Sequence, residues 1–180
     1  MASIYDTVSS WGVGNTYNKY DIVKGSDNRF YYSIINSNTA NNPTSTATLG
    51  VSWDGYVLQN GSLIPDFWWK PSYNAKVDFK PRVIVNKFGN GYTQRIEDGL
   101  NSRLLELSLN FENRSEKEAV SILHFFEQRK ATESFVYNLP SIYAKSSTAL
   151  NTRFLCATWS AEYISFNNYN ISADFIEVPV

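Results

Sequence analysis

The sequence is poor in reactive and metal-binding side chains, with one cysteine and one histidine among its 180 residues. A lone cysteine excludes a disulfide within the chain and any site built from several cysteines. A lone histidine excludes metal sites that need a histidine pair, and it leaves little room for acid–base catalysis by imidazole. The sequence therefore predicts no catalytic residue, no metal and no cofactor.

Charge is scarce and evenly divided, because 16 Lys and Arg side chains face 17 Asp and Glu side chains, for a net charge of -1. Phosphate contacts need a basic surplus, so nucleic acid is not an expected partner. No run of the sequence approaches the roughly 18 apolar residues that a membrane span requires, so no span is expected.

Aromatic residues are what the sequence has in quantity, at 16% of the chain. Tyrosine and tryptophan favour strands, and they also favour surfaces that are dry on one side and wet on the other. Two interpretations stay open at this point. The protein either buries much of its surface against neighbours or is a solvent-exposed all-β domain with polar loops.

The chain divides near residue 65, where the composition changes. Residues 36–50 are small and polar and predict a long loop, and a module boundary is expected between Asn60 and Trp68. Residues 1–65 then form a small β module, in which strands at 20–24 and 29–35 make a hairpin around the turn 25–28. Residues 66–180 form the larger domain.

The larger domain carries clear signals for strands and for one helix. Asn90-Gly91 predicts a hairpin in which both residues take positive φ, and apolar residues alternate from Leu105 to Phe111 as in a half-buried strand. Ser115 and Glu118 have the spacing of a capping box that opens a helix at about 116–130. Further strands are expected at 135–137, 153–163 and 170–178. The predicted fold is mainly β: an antiparallel β-sandwich or open barrel with one α-helix, plus the small N-terminal β module.

Isolated polar residues offer little chemistry. His124 lies inside the predicted helix and is interpreted as structural, and Cys156 lies in an alternating strand and is interpreted as a small hydrophobe. Glu97 and Asp98 are neighbours on a strand, so their carboxylates point to opposite faces. The protein is predicted not to be an enzyme.

The N-terminal module has an ordered set of aromatic residues around Asp21 and Val23, namely Trp11, Tyr17, Tyr31 and Trp53. This order resembles small chitin- and cellulose-binding modules. The sequence departs from them at Tyr20, where they have glycine, and at Ile35-Asn36, where they carry an exposed aromatic pair. The resemblance implies a host-surface glycan as a partner, and the other interpretation is a scaffold or docking use of the same aromatics.

A second motif lies in the larger domain and comprises Phe88, Gly89, Asn90, Gly91, Tyr92, Gln94 and Arg95. Together with 98–101, it resembles the signature of the minor tail protein M family of lambdoid long-tailed phages, and ordered matches continue from about Trp68 to the C-terminus. The resemblance implies a fold related to distal tail proteins, which form a ring at the end of the tail tube.

The same resemblance implies a function. The chain would be a structural component of a phage tail tip or baseplate, located in the virion and, during assembly, in the host cytoplasm. Its partners would be further copies of itself, six as the first expectation, the tail tube protein and the tail hub protein. The alternative is a carbohydrate-binding host-recognition module carried on a β-sandwich, and a third, weaker one is a glycan-processing accessory.

Gln94 and Arg95 stand beside the predicted hairpin turn. The forked donors of arginine are suited to fixing the register between subunits. Alternatively, Arg95 pairs with Glu97 or Asp98 on its own surface. Both interpretations stay open from the sequence.

Overall fold

The structure, a computed structural model, describes residues 5–59, 61–72, 75–99, 104–138 and 152–179. Within these residues the chain forms thirteen strands and one helix, α1 (Glu116–Arg129). The strands are β1 (Thr16–Tyr17), β2 (Ile22–Lys24), β3 (Phe30–Tyr32), β4 (Asn38–Thr39), β5 (Tyr56–Gln59), β6 (Ser62–Pro65), β7 (Lys76–Phe79), β8 (Val83–Lys87), β9 (Thr93–Glu97), β10 (Leu105–Arg114), β11 (Phe135–Tyr137), β12 (Thr152–Ser165) and β13 (Asn168–Glu177).

A five-stranded antiparallel sheet is the centre of the fold, with the strand order β11-β12-β13-β10-β7. It curls into a half-barrel, and α1 contributes its apolar side to the same core. The predicted fold class, mainly β with one helix, is confirmed. The long strands β12 and β13 pair with each other from Phe154↔Glu177 to Ser165↔Asn168.

The alternating pattern of β10 explains how this sheet acquires a dry face and a wet face. Leu105, Leu107, Leu109 and Phe111 are buried, whereas Ser108 between them is exposed. Successive side chains of a strand point to opposite faces, so the apolar set faces the core and the polar set faces solvent. The strand predicted from this alternation is confirmed.

Helix α1 begins as the sequence predicts, but only half of the capping box forms. The Ser115 side chain accepts the backbone N–H of Glu118 at 3.4 Å, which satisfies one of the free donors of the first turn. The Glu118 carboxylate instead accepts from Arg114, at 2.9 Å. At the other end Lys130 adopts a left-handed conformation, with φ of 47°, and its N–H donates to the Phe126 carbonyl.

The main core joins the helix to the sheet through aromatic rings. Phe67, which precedes β7, lies 5.2 Å from Phe125 of α1 and 5.2 Å from Phe175 of β13, measured between ring centroids. Phe135 of β11 packs on both of the last two rings. These buried aromatics place large apolar areas out of water, which is the main favourable term in folding.

The N-terminal part has a small core of its own and also packs on the main one. Tyr17, Val23, Tyr31 and Trp53 are buried together, and the predicted hairpin is present as β2 and β3. Tyr32, the next residue after Tyr31, points the other way and is buried in the main core. Two short strands bury little by themselves, so this second contact supplies what the small core lacks.

Candidate interaction surfaces

Strands β8 and β9 form a hairpin that is separate from the five-stranded sheet. Its register pairs Ile84 with Ile96 and Val85 with Arg95. The turn is closed by hydrogen bonds from Gly91 N–H to the Phe88 carbonyl, 3.0 Å, and from Phe88 N–H to the Tyr92 carbonyl, 2.9 Å. The hairpin is the one that the sequence predicts.

The turn geometry differs from the predicted one. Gly91 has a φ of 85°, but Asn90 is absent from the residues with positive φ in the described part of the chain. The Asn90 side chain instead accepts the N–H of Tyr92 at 3.2 Å. The loop runs from residue 88 to residue 92, and longer hairpin loops of this kind need one left-handed residue where a two-residue turn needs two.

The hairpin exposes apolar side chains to solvent. Six of them are between 46% and 66% exposed: Val83, Ile84, Val85, Phe88, Tyr92 and Ile96. None of the six belongs to either core cluster of the described residues. Since a free two-stranded hairpin is at best marginally stable in water, these side chains form a surface suited to contact with another molecule.

The hydrogen bonds of the hairpin bear on the two interpretations of Arg95. The Asp98 carboxylate accepts from Arg82, at 3.1 Å to Nε and 2.6 Å to Nη2. Arg95 lies opposite Val85 and Gln94 lies opposite Asn86, and both Gln94 and Arg95 are exposed. Asp98 is therefore engaged by Arg82, and the interfacial role of Gln94 and Arg95 stays a prediction.

The four aromatics that were candidates for glycan binding or docking do not form an exposed platform. Tyr17, Tyr31 and Trp53 are buried in the small core, at 8%, 8% and 0% exposure. Trp11 packs on that core and is partly exposed. Hydrogen bonds hold the buried rings: Trp53 Nε1 donates to the Asn41 carbonyl, and the Tyr31 hydroxyl donates to Asp27. Stacking on a sugar ring needs a free aromatic face, which these three rings do not offer.

His124 joins α1 to the N-terminal part. Its Nδ1 lies 2.7 Å from the Tyr5 hydroxyl, and its Nε2 lies 3.2 Å from the Phe30 carbonyl oxygen. Gln128 donates to the same carbonyl at 2.7 Å. Burial lowers the pKa of His124 from 6.5 to about 4, so the ring is neutral at pH 7. The structure thus places His124 in a structural contact.

Asp54 and Arg129 form a second buried polar group, which the sequence analysis missed. Burial raises the pKa of Asp54 to about 7, although its Oδ1 accepts the N–H of Tyr32 at 2.9 Å. The Arg129 guanidinium lies 3.7 Å from the centroid of the Phe125 ring and donates to the Phe125 carbonyl. Buried charges carry no local sequence pattern, because their environment comes from distant parts of the chain.

Exposed apolar residues also surround the β12–β13 turn, and the sequence analysis missed these as well. Tyr163 is 64% exposed, Ile164 is 47% exposed and Phe166 is 88% exposed. Apolar residues beside a polar turn, here Asn167 and Asn168, are the signal that points to such a surface.

Neither a metal site nor a membrane-spanning helix is present in the parts of the chain that the structure describes. They contain no group of three or more His, Cys, Asp or Glu side chains placed to hold a metal ion. The same residues include no helix with the length and apolar character needed to cross a membrane. Of the second sequence motif, Leu100 and Asn101 lie outside the described residues.

Comparison with known proteins defines the class of this protein. A family model described as phage minor tail protein matches residues 65–179. The chain therefore belongs to the phage minor tail protein family, and it is a structural component of the virion tail. The predicted family resemblance is confirmed.

A particular relative extends the comparison. The chain is 30% identical over 112 residues to tail tip protein M of Escherichia phage lambda, a match that covers 62% of this chain and 95% of the relative. Residues 1–64 lie outside the family match. The resemblance of the N-terminal module to carbohydrate-binding modules, and its boundary near residue 65, stay predictions.

Proposed function

We propose that this chain forms a closed ring at the distal end of the tail tube and connects the tube to the tail hub. Family membership supports a structural role in the tail. The likeness to a protein named tail tip protein M supports a position at the tip. Catalysis has no part in this proposal.

The observation that carries the proposal is the exposed apolar hairpin β8–β9. It presents Ile84 and Ile96 side by side on one face and the rings of Phe88 and Tyr92, 5.9 Å apart, at its end. Monomeric proteins seldom keep such apolar features in water unless a partner covers them. A neighbouring subunit that covers the hairpin removes this surface from solvent and stabilises the two strands.

A ring needs two different surfaces on each subunit. Head-to-tail contacts close into a cycle when the surface on one side of a subunit fits a different surface on the other side. The hairpin supplies one such surface, and six copies remain the first expectation for the ring. The flanking faces of the ring are then free for the tail tube protein on one side and the hub protein on the other.

The experiment compares assembly of the unaltered protein with that of hairpin variants, by mass photometry and electron microscopy, with and without the tail tube protein. The double substitution Ile84→Ser and Ile96→Ser removes the two isoleucine side chains from this face. Both side chains are already 46% exposed, so the substitutions should change the stability of the fold little. The matched control is Val13→Ser with Val51→Ser, which are 66% and 65% exposed and lie outside the hairpin.

We expect the unaltered protein and the control to form rings and the hairpin variant to stay monomeric with an unchanged melting temperature. The proposal is wrong if the unaltered protein remains a monomer at high concentration and in the presence of the tube protein. If the hairpin variant forms rings of normal size, the apolar face of the hairpin is not needed for ring formation.

A further inference from the structure

Charge is segregated along the chain around two hairpins. Residues 79–96, which include β8 and all of β9 except its last residue, contain four basic side chains and no acidic one, and Glu97 and Asp98 follow directly. Residues 154–180, which include most of β12 and all of β13, contain three acidic side chains and no basic one. In a chain with a net charge of -1, basic side chains are thus concentrated in and before the hairpin β8–β9, and acidic side chains outnumber basic ones in the last two strands.

Two of the four basic side chains form salt bridges within the subunit and two do not. Lys80 forms a salt bridge with Glu106, and Arg82 forms one with Asp98. Among the described residues, no salt bridge involves Lys87 or Arg95, and both are exposed. The register pairs Lys87 with Thr93 and Arg95 with Val85, which places the two cations on the same face of the hairpin. Glu97 lies on this face as well, at the end away from the turn, so the face carries two cations and one carboxylate.

A groove on the wet face of the main sheet has the opposite charge. It has a volume of about 250 Å³ and is lined by Asn110 and Glu112 of β10, Ser160 and Glu162 of β12, and Asn170, Ile171 and Ser172 of β13. Glu112 and Glu162 are exposed, and neither takes part in a salt bridge within the described ranges. The groove thus offers two carboxylates with amide and hydroxyl groups between them.

We propose that the hairpin face with Lys87 and Arg95 binds the groove with Glu112 and Glu162 on the next copy of this chain. This inference rests on the proposed ring, for which it names the second surface. The face with Lys87 and Arg95 lies on the groove, and Ile84 and Ile96, which point to the other face of the hairpin, are covered by the same neighbouring subunit. The occupant is a second copy because each molecule carries both halves of the match, the basic hairpin and the acidic groove. Contact between two grooves would oppose like charges, and so would a contact that brings Lys87 and Arg95 of two hairpins together, so the charges favour the head-to-tail arrangement.

The exposed apolar residues fit the same contact. Tyr163 and Phe166 follow Glu162 at the turn between β12 and β13, and Phe88 and Tyr92 follow Lys87 at the turn of the hairpin β8–β9. With the cations seated on the carboxylates, one pair of exposed rings can pack on the other. Such an interface has an apolar part beside matched charges, as protein interfaces commonly do.

The test uses two charge-reversed versions of the full chain. Version one carries Lys87→Glu and Arg95→Glu, so both its hairpin and its groove are acidic. Version two carries Glu112→Lys and Glu162→Lys, so both its hairpin and its groove are basic. All four positions are exposed, and unchanged melting temperatures and circular dichroism would confirm that the fold is retained.

Three results are expected for assembly at low salt, the first two measured by mass photometry. Each version alone should need at least about tenfold more protein than the unaltered chain to assemble, because opposed like charges disfavour the contact. An equal mixture of the two should assemble as the unaltered chain does, since every acidic hairpin then finds a basic groove and every basic hairpin an acidic one. Native mass spectrometry should show rings with equal numbers of the two versions.

Different results would overturn different statements. If the unaltered chain assembles and either version alone assembles equally well, or the mixture fails to restore assembly, this inference is wrong and the proposed ring stands. If the unaltered chain never assembles, with or without the tube protein, the proposed function is wrong and the inference is lost with it. If the versions assemble normally but lose binding to the tube protein, the hairpin binds the tube and not a second copy.

Discussion

Two buried titratable groups at the contact between the N-terminal part and the main core should give the stability of this protein opposite dependences on pH. His124 lies between Tyr5 and Phe30, and Asp54 accepts the N–H of Tyr32. The substitutions His124→Gln and Asp54→Asn each remove one titrating group. Glutamine retains an N–H donor that can reach the Phe30 carbonyl, and asparagine retains an oxygen for the Tyr32 N–H.

The sign for His124 follows from its lowered pKa. The ring has a pKa of about 4 in the folded protein and 6.5 as its ordinary value. The unfolded chain therefore binds a proton first as the pH falls, and the free energy of unfolding decreases between pH 6.5 and about pH 4. At roughly 1.4 kcal/mol per pKa unit, the full loss is about 3 kcal/mol. Burial is the main cause, and the nearby charge of Arg129 acts in the same direction.

The sign for Asp54 is the reverse, because its pKa is raised. The carboxyl has a pKa of about 7 in the folded protein and 3.8 as its ordinary value. Its contribution to stability is complete below pH 3.8 and is lost as the pH rises to about 7. Over this pH range the Asp54 contribution to the free energy of unfolding decreases by about 4 kcal/mol. Between about pH 4 and 6.5 the two contributions oppose each other, and the unaltered protein should show a shallow pH profile there.

Urea unfolding at a series of pH values measures these profiles directly. For His124→Gln we expect the free energy of unfolding to rise as the pH falls from about 7, because the Asp54 contribution is no longer opposed. For Asp54→Asn we expect it to fall over the same range. The double variant controls for all other titrating groups. Profiles of the two single variants that run parallel to that of the unaltered protein would refute the reasoning.

Three further predictions concern single residues. Gly91→Val should lower the free energy of unfolding by about 1–2 kcal/mol in urea unfolding, because Gly91 has a φ of 85° and nothing lies within 4 Å of the added Cβ, so backbone strain is the whole effect. Gly89→Ala is its control, since no left-handed φ is recorded there and its added Cβ also meets nothing, and an equal loss at both positions would contradict the strain argument. Ser115→Ala removes the hydrogen bond to the Glu118 N–H and should cost about 1 kcal/mol, measured in the same way, whereas Ser115→Asn should restore most of it. Burial raises the pKa of Cys156 to about 12, so a thiol reagent at pH 8 should label it only at the rate of opening or unfolding, and fast labelling of the native protein would show that the thiol is accessible.

Local patterns allowed much of the fold to be predicted from the sequence. The strict alternation from Leu105 to Phe111 predicts β10, because burial on one face demands a period of two. Ser115 predicts the start of α1, because its side chain satisfies a backbone donor wherever the helix lies. Asn90-Gly91 predicts the β8–β9 hairpin, although the turn needs positive φ at Gly91 alone. Each of these signals is complete within about a dozen residues.

Features that depend on distant contacts could not be predicted in this way. The partner of His124 is Tyr5, which lies 119 residues away, and nothing near His124 in the sequence points to it. The Glu118 carboxylate accepts a hydrogen bond from Arg114 and not from the backbone N–H of Ser115, because the arginine one helical turn away competes for it. The strand order β11-β12-β13-β10-β7 places β10 beside β13, an arrangement that only the shared core decides.

Composition alone could not separate buried aromatic residues from exposed ones, and the structure contains both kinds. Phe67 and Trp53 are buried, in different cores. Tyr92, Tyr163 and Phe166 are 66%, 64% and 88% exposed, and they lie at or beside the turns of two hairpins. A turn at the surface has no core to fill, and folding alone would favour polar residues there. The contact proposed above between neighbouring subunits would account for aromatic rings at both turns, and the charge-reversed mixture tests it.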